Sequence, residues 1–178
     1  MGHTFSTLDS KWIHCSSPCV NKLQSSAASS LAAAAKAKND YITLNSAWRS
    51  AAQQYLLYHW YQNGKCGIGL AAHPGSSNHE GGRAIDTSYY SYWQSALEHQ
   101  GWVHSYPSSD PVHFDYSHVA DLAQQNLLAF QRLWNRNNPN DKIAEDGIYG
   151  ERTNHALYHA PCGGFAKTAS EDDNEFLQ

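Results

Sequence analysis

Apolar and aromatic positions divide the chain into short stretches of changing period, separated by polar and glycine-rich segments. Residues 1 to 25 show no sustained period and predict a polar, irregular entry. Ala27 to Lys38 is alanine-rich and predicts a helix with Leu31 on a small apolar face, since alanine is the residue most easily accommodated in helical backbone. Tyr41 to Leu44 has the β-branched and aromatic content of a short strand. Ser50 with Gln53 three positions later has the spacing of a capping box, so a helix should start there and run to about Tyr61. Gly64, Gly67, Gly69, Pro74 and Gly75 make residues 63 to 78 a long surface loop.

Further along, Arg83 to Thr87 predicts a strand with Ala84 and Asp86 on one face and Arg83, Ile85 and Thr87 on the other. A helix over about Ser88 to His99 should return the chain toward Trp102 and Val103. The strand Val112 to Tyr116 follows, with His113 and Asp115 sharing a face. Val119, Ala123, Leu127, Phe130 and Trp134 recur every three to four residues and predict a helix against a core. Asp146 to Gly150 predicts a compact turn, and Thr153 to His159 a short helix with Ala156 and Leu157 inward. The acidic run Ser170 to Glu175 is expected to fray.

A length of 178 residues with 41% hydrophobic content supports one real core and a small appendage, not two full domains. The formal charge of -4 provides no basic field for a phosphate backbone or an anionic bilayer, so neither nucleic acid nor membrane insertion is expected. The first thirty residues lack the charged and apolar regions of a standard export signal. Cys15, Cys19, Cys66 and Cys162 allow three complete pairings. One of them combines a local Cys15–Cys19 staple with a Cys66–Cys162 tie; four reduced thiols are the alternative.

His79, Asp86 and His113 form a candidate zinc set of two imidazoles and one carboxylate, which holds the ion while leaving a coordination position open. Gly81 and Gly82 permit a tight approach from the His79 loop into the Asp86 strand. Asn78-His79-Glu80-Gly81-Gly82 is not His-Glu-x-x-His, so Glu80 reads as a surface acid rather than a base. Asp110, restrained by Pro111 beside His113, is the candidate proton acceptor; orienting a ligand histidine is its other role. Arg49, at a strand–helix junction, can grip a substrate carboxylate or oppose charge on an attacked carbonyl, or else form a plain ion pair. Ser77 can donate to substrate, and Asp115 can orient a ligand, bind substrate or merely cap a strand. His104 reads as a satisfied edge histidine, and His155 with His159 as an uninvolved helical pair with no nearby acid.

These residues resemble the zinc D-alanyl-D-alanine peptidase family, whose carboxypeptidases, dipeptidases and phage L-alanyl-D-glutamate endopeptidases act on peptidoglycan stems. The resemblance lies in Trp48-Arg49-Ser50 with Gln54, in Pro74-Gly75-Ser76-Ser77-x-His79-x-x-Gly82-x-Ala84-x-Asp86, and in Asp110-Pro111-Val112-His113-Phe114. It implies one zinc ion per chain on His79, Asp86 and His113, with Asp110 and Arg49 as catalytic residues and Arg49, Gln54 and Ser77 meeting substrate. It also implies an α+β fold in which a small antiparallel sheet carries the zinc cleft and helices pack behind. Many members have Tyr in place of Trp48, Glu in place of Asp110 and Trp in place of Val112. From Leu128 the chain resembles part of a peptidoglycan-binding helical module, through Phe130-Gln131 and Asp146-Gly147-Ile148-Tyr149-Gly150.

The expected organisation is a zinc peptidase core with an irregular N-terminal segment over 1–118, a C-terminal helical segment over 119–165 that resembles a reduced peptidoglycan-binding module or else simply packs onto the core, and an acidic tail over 166–178. Peptidoglycan stem peptides are the expected partner of a monomeric D-alanyl-D-alanine carboxypeptidase. The alternatives are a stem or cross-link endopeptidase and a noncatalytic wall-binding protein with a structural metal. Secretion to the cell wall and action as a soluble lysin both fit.

Overall fold

The computed structural model describes residues 4–165 and builds three short strands where an irregular entry was expected. β1 (Phe5–Thr7) pairs antiparallel with β3 (Lys22–Gln24), while β2 (Ile13–Cys15) pairs in parallel with β4 (Ile42–Leu44). Three residues are too few for an alternating pattern to emerge, and each partner lies far along the chain. A disulfide joins Cys15, the last residue of β2, to Cys19. Cys66 and Cys162 are exposed free thiols, so the expected second tie is not made. The acidic run 170–175 lies outside the described residues.

Helix α1 (Ser25–Lys38) buries five alanines, Ala27, Ala28, Ala32, Ala34 and Ala35, around the larger Leu31. It ends at Asn39, whose left-handed backbone lets its N–H close the last turn on Ala35 and Lys36. α2 (Ala51–Gln62) starts from the reciprocal Ser50–Gln53 capping box. After the loop come β5 (Ala84–Asp86), α3 (Tyr90–His99), β6 (Trp102–Val103) and β7 (His113–Tyr116), forming an antiparallel sheet of order β5-β7-β6. The architecture is α+β. Leu23, Leu31, Ile42, Leu44, Ile85, Trp93, Leu97, Trp102 and Phe114 make one apolar cluster, joining α1 and α3 to the strands.

Helix α4 (Ala123–Asn137) begins after Val119, and α5 (Glu151–His159) follows the 146–150 turn. Their residues Leu127, Phe130, Trp134, Ala156 and Leu157 join Ala51 and Tyr55 of α2 in a second apolar cluster. The turn is organised by buried Gln131. Its amide donates to Asp146, Ile148 and Thr153, and its oxygen accepts from the N–H groups of Asp146 and Gly147. The site described next lies where the two clusters meet.

Candidate metal centre

Asp86 of β5 and His113 of β7 are direct cross-strand partners, which places their side chains side by side on one face of the sheet. One step along the same face Ala84 stands opposite Asp115, and its small side chain leaves Asp115 room. His79 arrives from a tight turn in which Glu80 N–H donates to Ser77 O and Gly82 N–H to His79 O. Gly82 has φ +64, and a Cβ there would collide with the Phe5 ring, so the turn requires glycine.

The three groups converge closely. His79 Nε2 lies 3.2 Å from His113 Nδ1 and 3.2 Å from Asp86 Oδ1, and His113 Nδ1 lies 3.0 Å from Asp86 Oδ1. Tetrahedral zinc, with bonds of roughly 2.0–2.2 Å, spaces its ligand atoms about 3.3 Å apart, so this triangle fits the ion. It is the only group of three or more potential ligands so placed among the described residues. The far nitrogens fix the tautomers. His79 Nδ1 donates to Ala47 O at 2.7 Å and His113 Nε2 to Asp115 Oδ1 at 2.9 Å, which turns a lone pair of each ring into the triangle. Asp115 is held in turn by Asn78 Nδ2 at 2.8 Å and Ser105 Oγ at 2.6 Å.

Charge follows this geometry. Burial opposes ionisation of Asp86, yet His79, His113 and Arg49 outweigh it and hold the carboxyl well below its usual range. Burial lowers the pKa of His79. For His113 burial is overcome by Asp115 and Asp86, which push it up to about 9. Asp86 and Asp115 therefore favour the protonated form of His113, and a metal must displace that proton to bind.

Arg49 spends three donors on the framework: Nε to Ser46 Oγ at 3.0 Å, Nη1 to Gln54 Oε1 at 3.1 Å, and Nη2 to Asp86 Oδ2 at 2.9 Å. Gln54 is buried and returns its amide N–H to Ala72 O, so it anchors both Arg49 and the 63–78 loop. Arg49, Gln54, Ser77, Asp110 and the triangle line one cavity of about 400 Å³, with Leu57, Ile68 and Leu70 along an apolar wall. Every site residue expected from the sequence therefore borders one space. Asp110 receives no hydrogen bond on its carboxylate from the described residues, and burial, reinforced by Asp86, raises its pKa.

Two expectations change. Glu80 is fully buried rather than a surface acid, and its carboxylate accepts the N–H groups of Gly75 at 2.9 Å and Ser77 at 3.2 Å. Ser77-x-x-Glu80 has capping-box spacing, which was the available signal for this. Burial pushes Glu80 up to about 7 against those N–H groups. His155 does have an acid beside it, Asp141 Oδ2 at 3.4 Å, though with His159 the three form no compact ligand set. Asp115 orients His113, whereas His104 donates to Pro111 O and stacks on Phe114.

Residues 18–117 match the family described as VanY: D-alanyl-D-alanine carboxypeptidase. The match spans more than half of the chain and includes the triangle, Arg49 and Asp110. The chain belongs to this family and carries its zinc-peptidase fold, with a His-Asp-His metal-binding triad. No curated protein matches the chain. Among the described residues no helix is long and apolar enough to cross a membrane.

Proposed function

We propose that the protein is a zinc-dependent peptidase that hydrolyses an amide bond in peptidoglycan stem peptides, releasing terminal D-alanine. The observation that carries this reading is the triangle of donor atoms 3.0 to 3.2 Å apart, opening into a cavity that also holds Asp110 and Arg49. Zinc on His79, Asp86 and His113 would supply Lewis acidity toward the scissile carbonyl and toward water. Asp110 takes the proton of the attacking water and returns it to the departing amine, and its unbonded carboxylate with a raised pKa suits both transfers. Arg49 opposes the charge that gathers on the carbonyl oxygen. Ser77 donates to the substrate backbone, Gln54 sets the pose of Arg49, and Leu57, Ile68 and Leu70 receive the apolar side of the stem. The segment 119–165 is assigned to holding the wall polymer near the cavity.

A second reading, stem or cross-link endopeptidase, is favoured by the three Arg49 donors already bound within the protein. Of the five guanidinium N–H groups this leaves one on each Nη; a carboxylate clamp would need both, and an oxyanion needs only one. Mass spectrometry of digested intact muropeptides separates the readings. Loss of one terminal D-alanine supports the carboxypeptidase, and cleavage after L-alanine or between stems selects the endopeptidase. No cleavage by folded, zinc-loaded protein that still sediments with sacculi would leave a wall-binding protein with a structural metal.

A further inference from the structure

We propose that Asn126 of α4 is a positioning residue of the metal site, through which the C-terminal segment holds the Arg49 junction against the His79 turn. Its Nδ2 donates to Arg49 O at 2.8 Å and to Glu80 O at 3.1 Å, and its Oδ1 accepts from Ala51 N at 3.2 Å. One side chain thus joins three backbone groups from two segments that each carry a site residue. Those segments also meet directly, through Arg49 N–H to His79 O at 3.3 Å. The Ala51 N–H lies in the first turn of α2, where the helix itself offers it no acceptor.

Independent contacts bring the same segment to the cavity loop. A Cβ on Gly75 would lie 2.7 Å from Leu127 Cδ2, and the loop's His73 ring stacks on Tyr149 of the 146–150 turn. Gln24, next to Gly82 through its N–H, donates its side chain to both Gly81 O and Ala120 O. Asn126, Leu127 and Tyr149 all lie beyond the family-matched residues 18–117. Residues outside that stretch therefore set the relative placement of Arg49, which bonds Asp86, and of the turn that presents His79. A displacement of about 1 Å in such a framework costs roughly 100-fold in rate.

The catalytic arm of the test rests on the peptidase reading above; the metal arm does not. Full-length Asn126→Ala and Asn126→Asp are compared with Leu157→Ala, which loosens the second apolar cluster without touching these bonds. Zinc Kd is measured by chelator competition, thermal midpoint by calorimetry, and kcat and KM on muropeptides at saturating zinc. Asn126→Asp keeps the Ala51 acceptor and the side-chain shape but loses both donors, so it decides the matter if Asn126→Ala does not fold. Both Asn126 variants should weaken zinc binding about tenfold or more and lower kcat by about the same factor, with KM little changed. Leu157→Ala should lower the midpoint while zinc Kd and kcat stay within about twofold of the parent. Parental zinc affinity and kcat in Asn126→Asp, or equal losses in Leu157→Ala, would overturn the proposal. If the parent binds zinc but cleaves no muropeptide, the peptidase reading fails and the zinc Kd values alone decide the role of Asn126.

Discussion

Replacing Asp110 with Asn removes a proton acceptor without removing an atom of the ligand triangle. Asp110→Asn should keep zinc at full occupancy and lower turnover by about 100-fold or more, the usual cost of losing positioned proton transfer. Zinc content and rate measured on one sample check this: near-parental turnover would remove Asp110 from the proton pathway. Asp115→Asn acts on the other side of the ring. It takes the anion from His113 Nε2 and should weaken zinc binding about 10- to 100-fold with the fold intact, as chelator competition would show. The proton on His113 competes with the metal, so zinc affinity should rise about tenfold per pH unit toward about pH 9 and level off above it. Affinity independent of pH from 6 to 8 would contradict that ordering of charges.

At the scale of elements, the long periodic segments were legible from sequence. The Ser50–Gln53 capping box and the alternating faces of β5 and β7 place Arg49, Asp86 and His113 from the sequence pattern itself, and the alanine run places α1. The three N-terminal strands were not, because pairing across the fold leaves little trace in three residues. The burial of Glu80 and the bonds of Asn126 were hidden for a related reason: their partners are backbone groups of distant segments, and a polar residue in sequence does not show where its hydrogen bonds end. Glycine conformation also matters at this scale. Gly82→Ala meets both a left-handed φ and the Phe5 ring, so it should destabilise the protein by about 1–3 kcal/mol and impair zinc binding. Gly64→Ala shares a left-handed φ of +60 but has open space around it, so a chemical denaturation series should show the smaller loss there.

For the whole molecule, two buried groups set the pH dependence of the metal-free form. His113 and Glu80 both have raised pKa values in the folded protein, to about 9 and about 7. Their contributions are fully present below their unfolded values of 6.5 and 4.5, and are lost as pH rises through the folded ones. Asp86, Asp115 and His79 are depressed and act in the opposite sense, their contributions falling away as the solution is acidified. The metal-free protein should therefore melt highest in mildly acidic solution and progressively lower toward pH 9, and zinc should restore the midpoint at alkaline pH by mass action. A metal-free midpoint that climbs from pH 6 to 9 would contradict this balance. The meeting of two apolar clusters at the site has one more consequence, for the order in which the molecule fails. Asp86 and His113 stand on strands rooted in the first cluster, whereas Arg49 adjoins α2, which is rooted in the second. Partial opening of the second cluster would leave a chelating pair on an intact sheet while the cation that steadies Asp86 drifts away. Warmed or mildly denatured protein should then lose activity and hold zinc more weakly before it becomes an unfolded chain.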